Sequence, residues 1–195
     1  MLSLKLILAS SSKMRREILQ KVGLKFTAIS SDVDERTTAN TNEEYLINLS
    51  KLKANKIASS LSEGVVIGAD SMICFNGRRI GKPKTKEEAS RILKELSGKV
   101  NYALTGVTIL DLYTGKSVYF CEKTKVYFDE LSNDEIEWYI NNEEHILERA
   151  GYSLAGKTAV FIPKIDGDYY NVLGMPICRV YKELKKLGYN LSDFE

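Results

Sequence analysis

Blocks of apolar and polar positions along the chain predict its elements. Leu6-Ile7-Leu8-Ala9 is a short apolar run that stops at Ser10-Ser11-Ser12. That is the pattern of a buried strand entering a polar turn. A helix is expected from Lys13 to Val22, capped by Ser12 and ended near Gly23. A second helix is expected from Glu43 to Leu61. Gly64 then precedes Val65-Val66-Ile67-Gly68-Ala69-Asp70, read as a central strand that Asp70 ends. Asn76-Gly77 between Met72–Phe75 and Arg78–Ile80 suits a type I′ hairpin, because both turn positions need positive φ. Thr85-x-x-Glu88 reads as a capping box opening a helix that ends near Gly98. Asn101–Leu110 and Lys116–Phe128 read as long strands joined across Asp111–Gly115. Ser132-x-x-Glu135 is a second capping box, opening an acidic helix. A strand over Ala159–Ile165, a turn at Asp166-Gly167 and a helix over Ile177–Leu187, stopped by Gly188, complete the reading. Helices and strands alternate early and hairpins come later, which predicts a mixed α/β fold with antiparallel parts in its sheet.

Composition narrows the class. The 195 residues are 44% apolar and 28% charged, enough for a packed core and against disorder. The balance of 28 basic and 26 acidic residues gives a net charge of +2, too even for nonspecific nucleic-acid binding. No apolar run approaches a bilayer-spanning length, so neither a signal peptide nor a membrane anchor is expected. Cys74, Cys121 and Cys178 are widely spaced, and with the single His145 they form no recognisable zinc site or disulfide framework. Cys74 and Cys178 sit among apolar neighbours and read as core residues, His145 as a surface residue of the acidic helix. The expectation is a cytoplasmic, soluble protein.

Charge placement points to chemistry. Residues 1–25 carry six basic side chains against Glu17, whereas residues 129–148 carry eight acids and no Lys or Arg. The acidic stretch reads as a solvated helix face; the basic start is the better place to meet an anion. A strand feeding a helix N-terminus at Ser10–Arg15 offers free backbone amides and the positive end of the helix dipole. On that helix Arg15, Ile18 and Val22 share the apolar face, so Arg15 points inward or into a cleft; it either serves a ligand or pairs with a carboxylate. Lys53 repeats the anomaly within the stripe Leu46, Leu49, Ile57 and Leu61, and a buried ammonium must meet an anion of the protein or of a ligand. Asp70 faces either a ligand crevice or a local turn. Asp32, Asp34 and Glu35 form a second group of carboxylates, and two carboxylates brought together would hold Mg²⁺. Gly81-Lys82-Pro83 presents a lysine on a stiff turn. No P-loop, dinucleotide-binding or zinc-protease motif is present.

The same residues carry a resemblance. Leu8-Ala9-Ser10-Ser11-Ser12-Lys13-Met14-Arg15-Arg16-Glu17-Ile18-Leu19 resembles the L-A-S-x-S-P-x-R-x-E-L-L opening of Maf-like nucleoside triphosphate pyrophosphatases. Asp34-Glu35, Lys53-Ala54, Gly68-Ala69-Asp70 with Gly81-Lys82-Pro83, and Leu96-Ser97-Gly98 leading to Thr105-Gly106 agree in order. Asp166 to Pro176 resembles the late G-x-x-x-x-V-x-G-L-P segment. The likeness spans nearly the whole chain and implies one domain over residues 1–195. The family fold it implies is a two-lobed α/β domain around a long mixed sheet, related to inosine-triphosphate pyrophosphatases, with the active site between the lobes.

The activity so implied is hydrolysis of pyrimidine or noncanonical nucleoside triphosphates to the monophosphate and pyrophosphate with Mg²⁺ or Mn²⁺, a cleansing of the nucleotide pool. By the resemblance Asp70 is catalytic, as proton acceptor or mainly as metal ligand. Glu35 helps hold the metal, and Ser10, Arg15, Lys53 and Lys82 bind phosphate. The implied ligand is a nucleoside triphosphate, with neither membrane nor stable nucleic-acid partner, and a homodimer is one assembly the family allows. The alternative reading is a non-catalytic regulator of septum formation that binds nucleotide or protein. Met14, Ser71 and Ala155 depart from the family at positions tied to base choice, and match neither the dTTP/UTP nor the 7-methyl-GTP subgroup pattern. A roomier, less selective base pocket is the expectation.

Overall fold

The structure is a computed structural model that describes residues 4–147 and 152–194. In chain order, strand β1 (Leu6–Ala9) leads to helix α1 (Lys13–Lys21), strand β2 (Thr27–Ala28) and helix α2 (Asn42–Ala58). Strands β3 (Val65–Phe75) and β4 (Arg78–Ile80) form a hairpin and precede helix α3 (Lys86–Leu96). The long strands β5 (Val100–Asp111) and β6 (Ser117–Tyr127) lead to α4 (Asn133–Asn142), β7 (Lys164–Asp166), the one-turn α5 (Tyr169–Val172) and α6 (Ile177–Lys186). The seven strands form one mixed sheet in the order β2-β1-β3-β5-β6-β7, with β4 paired to β3. Strand β1 is parallel to β2 and β3, whereas the β3–β4 and β6–β7 pairs are antiparallel.

The chain divides into two compact units. The first holds Met1–Ser71, Thr105–Glu122 and Gly174–Glu195; the second holds Met72–Leu104 and Lys123–Leu173. In the first unit Ile7, Ala9, Ala54, Ile57 and Val66 pack α2 onto β1 and β3. Two glycines allow that close approach: a Cβ on Gly68 would lie 2.5 Å from Ser50 O, and one on Gly106 would lie 2.4 Å from Leu46 O. In the second unit Leu93, Leu96, Val126, Phe128, Ile136, Tyr139 and Phe161 belong to a continuous core. Burial of such side chains is the main favourable contribution to each unit.

Several boundaries follow from local chemistry. Ser12 caps α1 by accepting from the Arg15 amide, and Gly23 follows at φ 80°. Asn76 and Gly77 take φ 50° and 74°, as the type I′ turn requires. Ser132 and Glu135 form the full capping box of α4. At α3 Thr85 caps the Glu88 amide, but the Glu88 carboxylate accepts from the Lys84 amide, one residue earlier than the motif predicts.

Other expectations are corrected. Residues Lys157–Phe161 form a 3₁₀ turn, and only Lys164–Asp166 pair as a strand. Thr158 explains this: its hydroxyl accepts from the Ser153 amide and donates to the Ser153 carbonyl, closing a loop that an extended chain could not make. Strand β3 runs on through Asp70 to Phe75 instead of ending there. His145 lies beyond α4 and is exposed. Cys74 is buried as expected, but Cys178 is exposed on α6. The acidic helix α4 is solvated on one face only, since Ile136, Tyr139 and Ile140 are buried. Among the described residues no helix is long and apolar enough to cross a membrane.

Candidate active site

The first unit holds seven of the nine singled-out site residues: Ser10, Met14, Arg15, Glu35, Lys53, Asp70 and Ser71. Parallel pairing of Ala9 with Gly68 sets the turn that begins at Ser10 level with Ala69 and Asp70. The turn is shaped by its own hydroxyls. Ser10 Oγ, on a buried side chain, accepts from the Ser12 amide at 3.2 Å, and Ser12 Oγ accepts from the Arg15 amide at 3.4 Å. Among the described residues the Lys13 and Met14 amides take no protein acceptor, so two donors of the helix N-terminus stay open. Met14 is half-buried there.

Arg15 turns inward from α1, as its place on the apolar face predicts. Its guanidinium donates to Gly174 O at 2.8 Å, Ser10 Oγ at 3.2 Å and Ser71 Oγ at 2.9 Å. All three acceptors are neutral. Burial holds its pKa below the ordinary guanidinium value, while the charges of Asp70 and Glu35 act in the opposite direction. It remains a cation, since arginine does not lose its proton in proteins.

Lys53 explains the second anomaly. It lies on the α2 face that buries Leu46, Leu49 and Ile57, and its side chain is 12% exposed. Its ammonium bonds the Asp70 carboxylate at Oδ1 and the Glu35 carboxylate at 2.9 Å. The expected anion is therefore supplied by the protein, twice. Asp70 is itself largely covered, with 19% of its side chain exposed, and Glu35 is exposed at 60%. Among the described residues Asp70 Oδ2 takes no protein donor. Of the other carboxylates expected nearby, Asp34 is taken by Arg36 within its own loop, and Asp32 pairs with no cation among the described residues.

Lys82 and Ala155 belong to the second unit, where both are exposed. No three-member His, Cys, Asp or Glu cluster able to hold a metal occurs among the described residues. Three features escaped the sequence reading. The Gly174 carbonyl anchors Arg15, yet a carbonyl leaves no trace in residue type; only the glycine, at φ 95°, was visible. The Ser71 hydroxyl lies 3.0 Å from that of Thr105, a pairing set by sheet order. Beside Glu35 a wide-mouthed cleft of about 650 Å³ is lined by Glu35, Arg36, Thr37, Thr38 and Tyr45.

Comparison with known proteins adds to this geometry. A sequence model of the family described as Maf-like protein matches residues 5–187. The chain is 39% identical to the dTTP/UTP pyrophosphatase of Carboxydothermus hydrogenoformans over 186 residues, covering 95% of this chain and 100% of that protein. It is 42% identical to the dTTP/UTP pyrophosphatase of Alkaliphilus metalliredigens, covering 93% and 95% of the two chains, and 41% identical to that of Pyrococcus abyssi, covering 94% and 96%. Among solved structures, that of the Staphylococcus aureus Ham1 protein is similar at a TM-score of 0.45 and 18% identity, over 65% of this chain and 72% of that one.

Proposed function

The chain belongs to the Maf-like protein family, and from that premise we propose that it is a divalent-metal-dependent pyrophosphatase acting on dTTP and UTP. Water attacks the α-phosphorus, the bond to the α–β bridging oxygen breaks, and the products are the nucleoside monophosphate and pyrophosphate. The observation that carries this reading is the Lys53 ammonium, buried in an apolar stripe and shared by Asp70 and Glu35. A structural ion pair alone needs one carboxylate. Two carboxylates around one ammonium form a charged centre beside Arg15 and the open amides of α1.

Each side chain has a part. Asp70 orients the attacking water through Oδ2 and receives its proton, while Lys53 fixes the carboxylate through Oδ1. Arg15, Lys53 and the amides of Lys13 and Met14 offset the negative charge that grows on the triphosphate as the bond breaks. Ser10 donates its hydroxyl proton to a phosphate oxygen, since both of its acceptor sites are already used. Lys82, on its Pro-stiffened turn in the second unit, is a phosphate-binding cation by the family resemblance.

A carboxylate pair is a hard-oxygen donor set that suits Mg²⁺ or Mn²⁺, with water and phosphate oxygens completing the shell. Glu35 and Asp70 would hold the ion, which supplies charge neutralisation at the phosphates. Met14, Ser71 and Ala155 tune the choice of base. The reaction belongs to the clearing of nucleotides from the cytoplasmic pool.

The test is a pyrophosphate-release assay over natural and modified nucleoside triphosphates with Mg²⁺ or Mn²⁺. Release from dTTP and UTP that stops when the metal is chelated is the expected result. Purified protein that releases no pyrophosphate from any of them would overturn the reading in favour of a nucleotide-binding regulator.

A further inference from the structure

The Arg15 guanidinium has five N–H donors, of which three are used among the described residues, on Gly174 O, Ser10 Oγ and Ser71 Oγ. One donor on each terminal nitrogen remains. Such a pair suits two oxygens of one phosphate, provided that the plane of the guanidinium is held still. The three anchors are not equally firm. Gly174 O is main chain, and Ser10 Oγ is tied to the Ser12 amide. The Ser71 hydroxyl, on an exposed residue, is free to rotate about χ1 unless something holds it. Two groups hold it: it donates to Gly174 O at a long 3.4 Å, and Thr105, a fully buried residue of β5, brings its Oγ1 to a closer 3.0 Å from Ser71 Oγ.

We propose that Thr105 is a positioning residue for phosphate recognition: its hydroxyl fixes the Ser71 hydroxyl as the acceptor for Arg15, and so aims the two remaining N–H donors. The inference rests on the reading of Arg15 as a phosphate-binding cation.

Calorimetric binding of inorganic tripolyphosphate, with Mg²⁺ present, tests this without requiring turnover. Thr105→Val keeps the β-branched shape and removes the hydroxyl, and binding should weaken about tenfold, the size of one lost hydrogen bond. Thr105→Ser restores the hydroxyl and should restore affinity, although the missing methyl lowers the melting temperature. A purely structural Thr105 predicts the reverse, with affinity following melting temperature in both variants. In an Arg15→Lys background Thr105→Val should cost no further affinity, because lysine lacks the fork that Ser71 anchors. Ser71→Ala serves where Thr105→Val fails to fold, and should show the same tenfold loss and the same dependence on Arg15. Unchanged binding by Thr105→Val, or a loss that persists with Arg15→Lys, overturns the inference. Wild-type protein that binds tripolyphosphate yet releases pyrophosphate from no nucleotide fails the functional reading alone. Wild-type turnover combined with unchanged Thr105→Val binding fails this inference alone.

Discussion

Gly68 on β3 lies directly beneath Ser50 on α2, so close that a Cβ on the glycine would stand 2.5 Å from the serine carbonyl oxygen and 2.8 Å from the Ala54 amide. Both neighbours are backbone, and neither can rotate away. The absent side chain is what lets α2 approach the sheet, and Lys53, next to Ala54, reaches Asp70 because of it. Gly68→Ala should therefore cost about 1–3 kcal/mol by overpacking, and lower turnover as well, since relief requires α2 to move with its lysine. Urea unfolding and pyrophosphate release measure the two effects. A variant with wild-type stability would show that α2 can lift off β3 without cost.

Asp70→Asn keeps the shape of the side chain and removes its charge. Turnover should fall about a hundredfold or more, the usual loss when a group that orients or deprotonates the nucleophile is neutralised. Circular dichroism should match wild type, because Asn still accepts from Lys53 through its amide oxygen. Near-wild-type turnover by this variant would remove Asp70 from the reaction.

Lys53→Met should destabilise the protein. From the apolar stripe alone, a methionine would pack at least as well as an ammonium. The ion pairs argue the other way, because the ammonium is the counter-charge of Asp70 and Glu35. Its loss leaves a largely covered carboxylate without its partner, and should cost about 1–3 kcal/mol in metal-free protein. Added Mg²⁺ should return part of that stability by supplying another cation to the same oxygens. A variant as stable as wild type without metal would mean that Asp70 turns out to solvent.

These contrasts show what was legible in the sequence. Local rules placed the caps at Ser12 and Ser132 and the hairpin at Asn76-Gly77, because such features depend on residues within a few positions of one another. Helical spacing placed Arg15 and Lys53 inward, because a charge on an apolar face is visible as a broken pattern. What those charges meet was not legible. Asp70 and Glu35 reach Lys53 from 17 and 18 residues away in the chain, and Gly174 reaches Arg15 from 159. The strand expected over Ala159–Ile165 is confined to Lys164–Asp166, for a local and a distant reason. Its β-branched and apolar residues suit a strand, but the Thr158 hydroxyl closes a turn onto Ser153 and Phe161 packs on Tyr139. Relations across the sequence, such as the Ser71–Thr105 pair on neighbouring strands, need the sheet order first.

Alkaline pH should unfold the protein through two tyrosines. Tyr152 donates its hydroxyl proton to Asn101 Oδ1 at 2.7 Å, and burial pushes its pKa above the ordinary value. Burial, followed by a hydrogen bond with Asp111, raises Tyr189 as well. With the folded pKa raised, these groups contribute fully below the unfolded value of about 10, and the contribution is lost as pH rises above it, where only the unfolded chain ionises. Melting temperature should fall steadily above about pH 10, and Tyr152→Phe should flatten part of that slope while leaving Asn101 short of a donor. A melting temperature independent of pH in that range would mean that the tyrosines ionise equally in both states.

Base choice is the last expectation, and it turns on small side chains. Met14 is half-buried at the start of α1, and Ala155 is exposed in the second unit. Neither brings a strong hydrogen-bonding group, and the Ser71 hydroxyl is already engaged with Arg15 and Thr105. A pocket built to hydrogen-bond a substrate rejects the wrong one by about 10⁴-fold, whereas a pocket that reads shape alone manages only about 10–200-fold. Discrimination between dTTP or UTP and other nucleoside triphosphates should therefore stay within the lower range. Ala155→Gln adds an amide that can donate and accept, and should widen the ratio of kcat/KM between UTP and a purine triphosphate, with little change in tripolyphosphate binding. A wild-type preference of several orders of magnitude for one base would sink this expectation. It would mean that main-chain groups or ordered water read the base, as they can wherever a carbonyl or amide faces the pocket.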